Sequence, residues 1–319
     1  MTRQPKIFSG RANPELTSKI CKSLNLPISG VRIETFPDGE FHCKIDDVRG
    51  RDVFLVQPTC PPVNDNLMEL LIMIDACLRA SADRITAVVP YYGYARQDRK
   101  DEGRVPITAK LVANMIVRAG ADRVLAMDLH AAQIQGFFDV PVDHLYAGSV
   151  LNEHFIKMKI PTDELVIVSP DEGSIKRAVG HAKRIGGELA IIDKRRLTAD
   201  KVVQENIIGG DLNGKVAVMF DDMISTAGSI CGAAELVKKK GAREIHVAAT
   251  HGVFAGPAIE RLKNAPIDSI VITDSVPLPP EKMFDRMKVL SVAPMLGEAI
   301  KRIHQHESIS EIFSEDERV

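Results

Sequence analysis

VAVMFDDMISTAGS (Val216–Ser229) decides the fold class of this chain, together with the helical pattern that follows it to Lys240. The first part, Val216–Phe220, is continuously apolar, as is typical of a strand buried on both faces of a parallel sheet. A turn of small and hydroxyl-bearing residues then separates this strand from the helix. The stretch therefore predicts one strand-to-helix unit of an α/β fold.

Similar apolar runs alternate with helical segments along the chain. The clearest predicted strands are 53–56, 85–89, 124–127, 165–168, 189–192, 216–220 and 270–272. Because these runs are apolar throughout rather than alternating, we expect mostly parallel sheets with helices on both faces.

A helix-to-strand turn recurs in both halves of the chain. The segments 79–85, 118–124 and 239–245 each end a helix at a small residue or glycine, pass through Ala and a charged residue, and enter a strand. The chain has 319 residues, which exceeds what one hydrophobic core usually organises. We therefore predict two related α/β domains, residues 1–147 and 148–319. Such turns are common, so unrelated domains could also share them.

Composition excludes several classes of protein. The net charge of -2 lacks the basic surplus that a nucleic-acid partner would favour. The five cysteines are scattered and form no C-x-x-C pair, which argues against a disulfide framework or a zinc site and favours a reducing cytoplasm. The most apolar helical stretch, residues 67–78, contains two acids and is too short for a bilayer of ~30 Å, so no membrane partner is expected.

The residues after the 216–220 strand carry the strongest chemical signal. Asp221 and Asp222 could accept hydrogen bonds from vicinal hydroxyls, while the loop Ser225–Ser229 could offer backbone N–H groups to a phosphate at a helix N-terminus. A sugar phosphate would satisfy both ends. The same residues fit equally well a generic turn in which Ser229 caps the helix and the aspartates are solvated.

This segment resembles the phosphoribosyl diphosphate signature of phosphoribosyltransferases and ribose-phosphate diphosphokinases. The resemblance implies phosphoribosyltransferase-like domains in which Asp221 and Asp222 bind the ribose hydroxyls. It also assigns the 5-phosphate to Ser225, Thr226, Ala227, Gly228 and Ser229. Many family members have aspartate in place of Ser225 and threonine in place of Ser229; the first difference removes a carboxylate.

Two further segments resemble the diphosphokinases specifically, and both concern ATP. In FPDGE (Phe36–Glu40), the resemblance implies an aromatic contact from Phe36 to adenine at a subunit interface, with Asp38 and Glu40 beside it. In the segment PYYGYARQDRK, it assigns Arg96 to the triphosphate and Gln97 to the adenine region. Without the resemblance, the first reads as a tight turn and the second as a solvated loop, although three of the four tyrosines lie in it.

The remaining family motifs concern metal and transferring phosphates. The pattern D-L-H-x-x-Q-x-Q-G-F-F is matched from Asp128, and its histidine, His130, would bind metal and ATP. Asp171 resembles the metal-binding aspartate. The basic run after the 189–192 strand resembles a mobile catalytic loop, which makes Lys194 and Arg196 the candidate catalytic residues.

The resemblance implies an enzyme that uses Mg²⁺ and ATP to convert ribose 5-phosphate to phosphoribosyl diphosphate, in a homo-oligomer, a hexamer by family likeness. No G-x-x-x-x-G-K-[ST] motif occurs, which disfavours a P-loop kinase. Two alternatives stay open. The first is a salvage phosphoribosyltransferase with the same 221–229 site for the sugar phosphate. The second is a catalytically silent regulatory partner, which only the replacement of the usual aspartate by Ser225 favours.

Overall fold

A computed structural model describes residues 4–171, 173–198 and 201–312, without the side chains of 194–198 and 201–205. The strands are β1 Lys6–Ser9, β2 Val31–Thr35, β3 Phe41–Ile45, β4 Asp52–Val56, β5 Arg84–Val89, β6 Arg123–Met127, β7 Val142–Leu145, β8 Leu165–Ser169, β9 Glu188–Thr198, β10 Lys201–Gly209, β11 Val216–Ile224, β12 Glu244–Gly252, β13 Ser269–Thr273 and β14 Met287–Leu290. The helices are α1 Pro14–Ser23, α2 Val63–Arg79, α3 Thr108–Ala119, α4 Gly148–Met158, α5 Ile175–Ile185, α6 Gly228–Lys239, α7 Ala258–Asn264 and α8 Ala293–Gln305. Short 3₁₀ turns are found at Ala132–Phe137, Pro280–Lys282 and Ile309–Ile312.

The chain forms two compact units. The first contains the described residues up to Tyr146 together with Ser275–Pro277 and Ser291–Ile312, and the second contains Ala147–Asp274 and Leu278–Leu290. The last helix, α8, therefore packs within the first unit, where it contacts α1. Across the described ranges, no helix has the length and apolar character needed to cross a membrane.

The first unit is built on a parallel sheet. Its strand order is β1-β4-β5-β6-β7, and every neighbouring pair runs parallel. The antiparallel hairpin of β2 and β3 forms a separate sheet and contacts α2. The buried face of the hairpin packs against the core through Ile33 and Cys43, so the turn at its end stands away from that core.

The second unit is built on a seven-stranded sheet in the order β10-β9-β8-β11-β12-β13-β14. All neighbouring pairs are parallel except β9 and β10. Alternate side chains of β11 enter two different cores: Met219 packs with one cluster and Phe220 with the cluster on the other face. This double burial explains why β11 is apolar at consecutive positions.

The predicted α/β class and parallel sheets are confirmed, and all seven predicted strands lie inside observed ones. The basic run after the predicted 189–192 strand, which resembles a mobile catalytic loop, has a strand backbone. Its backbone continues β9 as far as Thr198 and pairs with β10, for example Asp193 with Asn206. The strand β11 is also longer than predicted, so Asp221 and Asp222 lie within it.

The recurrent helix-to-strand turns share a left-handed residue within two positions of the helix end. Gly120 has φ +118° and Gly241 has φ +92°, and Ser81 takes the same place with φ +60°. At Gly120 the N–H groups that follow bond back to the last turn of α3, which ends the helix. Asp122, which follows one of these turns, also accepts a 2.8 Å hydrogen bond from the N–H of Ile85, the second residue of β5.

We expect Gly120→Ala to lower the apparent Tm of the protein. Alanine in a left-handed conformation costs ~1–2 kcal/mol, and its Cβ would also lie 2.8 Å from a methyl group of Leu78. Gly103→Ala is the matched control, because a Cβ there meets nothing within 4 Å. Equal melting temperatures for the two variants in a thermal-shift assay would contradict this account of the turn.

Candidate active site

The loop between β11 and α6 ends in a helix without a side-chain cap. The helix begins at Gly228, and its N-cap residue, Ala227, is left-handed with φ +62° and makes no capping hydrogen bond through its side chain. Ser229 lies inside the helix, so the alternative in which it caps α6 is wrong. The first N–H groups of α6 have no acceptor within the helix, and the helix dipole makes that end attractive to an anion.

The carbonyl groups of the same loop are held from one side. The carbonyl of Ser225 accepts a 2.9 Å hydrogen bond from the N–H of Ala255, and that of Thr226 accepts one of 3.0 Å from Nη1 of Arg261. Because the C=O and N–H of a trans peptide point in opposite directions, the N–H groups of Thr226 and Ala227 face away from these partners. The loop therefore offers its amide donors on the side opposite Arg261.

Two adjacent carboxylates and one guanidinium meet beside this loop. Nη1 of Arg177 lies 3.1 Å from Oδ1 of Asp221 and 3.3 Å from Oδ1 of Asp222. The exposed fractions of the three side chains are 26% for Arg177, 21% for Asp221 and 6% for Asp222. Oδ1 of Asp221 also accepts the N–H of Asp222 at 2.8 Å. These groups form a polar cluster that water reaches only in part.

Burial raises the pKa of Asp221 well above its usual range. The second cause is the negative charge and hydrogen bonding of Asp222, and the positive charge of Arg177 acts in the opposite direction. One guanidinium therefore does not offset two largely buried carboxylates. A protonated Asp221 could donate a hydrogen bond while Asp222 accepts one, which matches a pair of neighbouring hydroxyl groups.

Arg177 was not predicted as a site residue, and the position of its helix explains its role. It lies in the first turn of α5, which follows β8, and β8 pairs directly with β11 in the sheet. One turn later on α5, the ring of His181 stacks on Phe220 with centroids 3.6 Å apart, and its Nδ1 lies 2.6 Å from Oδ1 of Asn152. Burial lowers the pKa of His181 to about 3, so its ring is neutral and acts as a packing element that fixes α5 beside β11.

The turn after β8 is organised by Asp171. Its Oδ1 accepts a 2.8 Å hydrogen bond from the N–H of Ser174, and its backbone carbonyl accepts one of 2.7 Å from the hydroxyl of Ser169. One amide of the turn is therefore engaged by the carboxylate. The carboxylate itself is exposed, as a metal ligand would need to be.

In the first unit, the Phe36–Glu40 turn closes the β2–β3 hairpin. The N–H of Phe36 donates to the carbonyl of Glu40 at 2.8 Å, and Oδ1 of Asp38 accepts the N–H of Glu40 at 3.1 Å. Gly39 supplies the left-handed position with φ +94°. Phe36 is 46% exposed, and Asp38 and Glu40 are exposed as well. The turn thus presents an aromatic face and two acids to solvent.

The tyrosine-rich segment divides into a buried part and an exposed part. Tyr91 and Tyr92 are buried, and the hydroxyl of Tyr92 donates to the carbonyl of Ala109 at 2.8 Å. These two tyrosines are therefore explained by packing rather than by a ligand. Arg96 and Gln97 are exposed, as their predicted contacts require.

Side chains connect this segment to the histidine motif within the first unit. Nε2 of Gln133 donates to Oδ2 of Asp98 at 3.2 Å. The N–H of Leu129, next to the exposed His130, donates to Nε2 of His144 at 2.9 Å. His144 was not among the predicted site residues, because it lies on β7, which has no continuous apolar run to predict it. These bonds fix the loops that carry Arg96 and His130.

The remaining predicted site residues are not brought together by the described structure. His130 belongs to the first unit and Asp171 to the second. Lys194 and Arg196 have their backbone in β9, but their side chains lie outside the described residues. Among the residues that are described, no three His, Cys, Asp or Glu side chains are grouped to hold a metal ion. The roles of these four residues stay predictions.

The α/β fold, the paired aspartates Asp221 and Asp222, and the amide loop after them define the class of protein. It is a protein with two phosphoribosyltransferase-like domains. Residues 5–120 match the N-terminal domain of ribose phosphate pyrophosphokinase, and residues 199–314 match the phosphoribosyl synthetase-associated domain. The chain is 70% identical to a ribose-phosphate pyrophosphokinase of Rhodopirellula baltica, over 98% of this chain and 99% of that one. It is 55% identical to the same enzyme of Caldanaerobacter subterraneus, again over 98% and 99%.

A crystal structure of phosphoribosylpyrophosphate synthetase from Mycobacterium smegmatis is similar with a TM-score of 0.88 and 41% identity, over 95% of this chain and all of that one. The chain belongs to the ribose-phosphate pyrophosphokinase family of transferases. The predicted family, fold class and enzyme class are confirmed.

The paired aspartates lead to a prediction for the unliganded protein. Because folding raises the pKa of Asp221, the folded state binds more protons than the unfolded state at pH values above ~4, and the stability falls as the pH rises through the raised pKa. We expect Asp221→Asn to have a higher Tm than the parent at neutral pH and a flatter decline from about pH 5 to about pH 8.

The exposed Asp163 provides the control for that experiment. Asp163→Asn removes a carboxylate from the same unit and should leave the slope of Tm against pH unchanged. A parental slope in Asp221→Asn, measured by scanning calorimetry, would show that the buried pair does not set the pH dependence.

Proposed function

We propose that the chain transfers the diphosphoryl group of Mg-ATP to the anomeric hydroxyl of ribose 5-phosphate. The hydroxyl oxygen attacks the β-phosphorus and loses its proton. The bond between the β-phosphorus and the oxygen bridging to the α-phosphorus breaks, and AMP leaves with that oxygen. The products are 5-phosphoribosyl 1-diphosphate and AMP, for use in nucleotide synthesis.

The observation that carries this proposal is the cluster of Asp221, Asp222 and Arg177 beside the uncapped N-terminus of α6. The two carboxyl groups suit the vicinal hydroxyls of a ribose, and the amides of the 225–229 loop suit its 5-phosphate. Ser225 lacks the carboxylate of many relatives, yet its backbone carbonyl already has the N–H of Ala255 as a donor. The loop conformation thus depends on the backbone of this residue rather than on its side chain.

We assign ATP, the donor of the diphosphoryl group, to exposed residues of the first unit. Phe36 would stack on adenine, with Asp38 and Glu40 beside the nucleoside. Arg96 would contact the triphosphate, since arginine suits phosphate oxygens, and Gln97 would contact the adenine region. The side-chain oxygen of Gln97 accepts a hydrogen bond from the Thr108 hydroxyl, which leaves its amide N–H groups for a ligand.

The donor set fits Mg²⁺ held largely by its substrate. Within the described ranges, His130 and Asp171 are exposed, and neither belongs to a group of three side chains that could hold a metal ion. Mg²⁺ is usually bound by one or two carboxylates while phosphate and water supply its other ligands. We assign the metal to Asp171 and His130; when bound, it neutralises charge on the phosphate oxygens.

Lys194 and Arg196 are the proposed catalytic residues. Diphosphoryl transfer depends on alignment and on neutralising the charge that spreads over the phosphate oxygens. Two cations on the β9–β10 pair of strands would supply that charge when they approach the transferring group. We further propose a homohexamer in which Phe36 serves an ATP site at a subunit interface, and a cytoplasmic location.

The activity is tested by mixing the protein with ATP, Mg²⁺ and ribose 5-phosphate and measuring AMP. We expect AMP and phosphoribosyl diphosphate in equal amounts, and no product without either substrate. Release of diphosphate from phosphoribosyl diphosphate and a purine base, without AMP synthesis from ATP, would favour a salvage phosphoribosyltransferase. Absence of both activities would favour a silent regulatory partner.

Replacing Lys194 or Arg196 by alanine should lower turnover by ~10² or more and leave ribose 5-phosphate affinity similar. Arg195→Ala is the matched control, because it removes a neighbouring cation to which no role is assigned. Steady-state kinetics and calorimetry with ribose 5-phosphate give the two readouts. Unchanged turnover in both Lys194→Ala and Arg196→Ala would remove these residues from the mechanism.

A further inference from the structure

Arg11 joins a buried carboxylate to the hairpin that carries Phe36. Its Nε donates to Oε2 of Glu69 at 2.6 Å, and its backbone N–H donates to Oε1 of the same residue at 2.6 Å. Glu69 lies on α2 with its side chain only 3% exposed, and Oε1 also accepts Nε2 of Gln57 at 3.1 Å. This anchor is rigid, because a buried carboxylate with several charge-assisted partners has little freedom to move.

The other end of Arg11 reaches both strands of the hairpin. Its Nη1 donates to Oγ1 of Thr35 at 2.9 Å, and its Cζ lies 4.8 Å above the ring centroid of Phe41. Thr35 on β2 and Phe41 on β3 are partners in register, and they form the last pair before the Phe36–Glu40 turn. One guanidinium therefore holds the base of the turn from both sides.

We infer that Arg11 is a positioning residue that, through Glu69, fixes the Phe36–Glu40 turn in the conformation that binds the nucleotide. The nucleotide role of that turn rests on the proposed function. Arg11 would act through its contacts with Thr35, Phe41 and Glu69.

The low stability of an isolated hairpin and the shape of the guanidinium group explain why Arg11 can position the turn. A two-stranded hairpin is marginally stable by itself, and β2 and β3 are not members of the five-stranded sheet. Packing of Ile33 and Cys43 on the core holds the body of the hairpin, and Arg11 bonds its end. The planar fork of arginine can bond a carboxylate and a hydroxyl while stacking on a ring, which a lysine ammonium cannot do.

The test compares Arg11→Met and Arg11→Lys with Arg32→Met. Arg32 is the matched control, since it lies on the same hairpin, is 74% exposed, and bonds only its neighbour Glu34 among the described contacts. Two quantities are measured: amide hydrogen exchange of residues 31–45 without ligand, and kcat and KM for each substrate. Should Arg11→Met fail to fold because Glu69 is left buried and unpaired, the double change Arg11→Met with Glu69→Gln carries the same test.

In Arg11→Met we expect exchange at residues 31–45 to quicken by about tenfold or more, and the KM for ATP to rise by about tenfold. We expect kcat and the KM for ribose 5-phosphate to stay within about twofold of the parent. Arg11→Lys should recover only part of the loss, and Arg32→Met should behave as the parent. A folded Arg11 variant with parental exchange in the hairpin would overturn the inference.

The readouts separate this inference from the proposed function. AMP synthesis by the parent protein reports on the proposed function alone. Parental AMP synthesis, faster exchange and an unchanged KM for ATP would refute the positioning role while leaving the proposed reaction intact. A lower kcat with an unchanged KM for ATP would also refute it, because it would indicate a loss of folded enzyme rather than a misplaced turn.

Discussion

Two neighbouring carboxylates on β11 share one guanidinium, and the second unit's site depends on that arrangement. Consecutive side chains of a strand normally point to opposite faces, yet Nη1 of Arg177 lies within 3.3 Å of both Asp221 and Asp222. The hydrogen bond from the N–H of Asp222 to Oδ1 of Asp221 shows how, because it folds the first carboxylate back along the backbone. Burial and the neighbouring charge of Asp222 raise the pKa of Asp221, so holding both carboxylates ionised in this cluster costs stability. Residues that lower the stability of the folded protein in this manner are typical of a binding site.

The loop between β11 and α6 directs backbone N–H groups, rather than side chains, toward one point. Ala227 adopts a left-handed conformation that alanine does not favour, so the surrounding structure must impose it. The donors from Ala255 and Arg261 do this by holding the carbonyls of Ser225 and Thr226. A small side chain at Ala227 and none at Gly228 leave room for this path. Side-chain chemistry is therefore secondary in the loop, whereas it is essential in the aspartate pair.

The sequence predicted the parts of the fold and site that depend on local pattern. Continuous apolar runs located the buried strands, and the D-D and S-T-A-G-S segments located the end of β11 and the loop before α6, because strand burial and small loop residues can be recognised in neighbouring positions. The strand β14 was missed since Lys288 and Val289 within it are exposed and carry no apolar run. Arg177, Arg261 and His144 were missed for another reason. Their roles depend on which strands are neighbours, such as β8 and β11, and sheet order is not a local property.

The two units differ in how they hold the groups proposed to act. In the second unit the acidic pair is largely buried, and Arg177 forms an ion pair with both of its members. In the first, the proposed contacts are exposed, and residues behind them fix the backbone: Gln133 bonds Asp98, and His144 bonds the N–H beside His130. An exposed, long side chain loses much conformational entropy when it binds a ligand, and a loop that is already ordered reduces what remains to be lost. The proposed diphosphoryl transfer depends on alignment, so such supporting bonds would act on that reaction without touching the substrate.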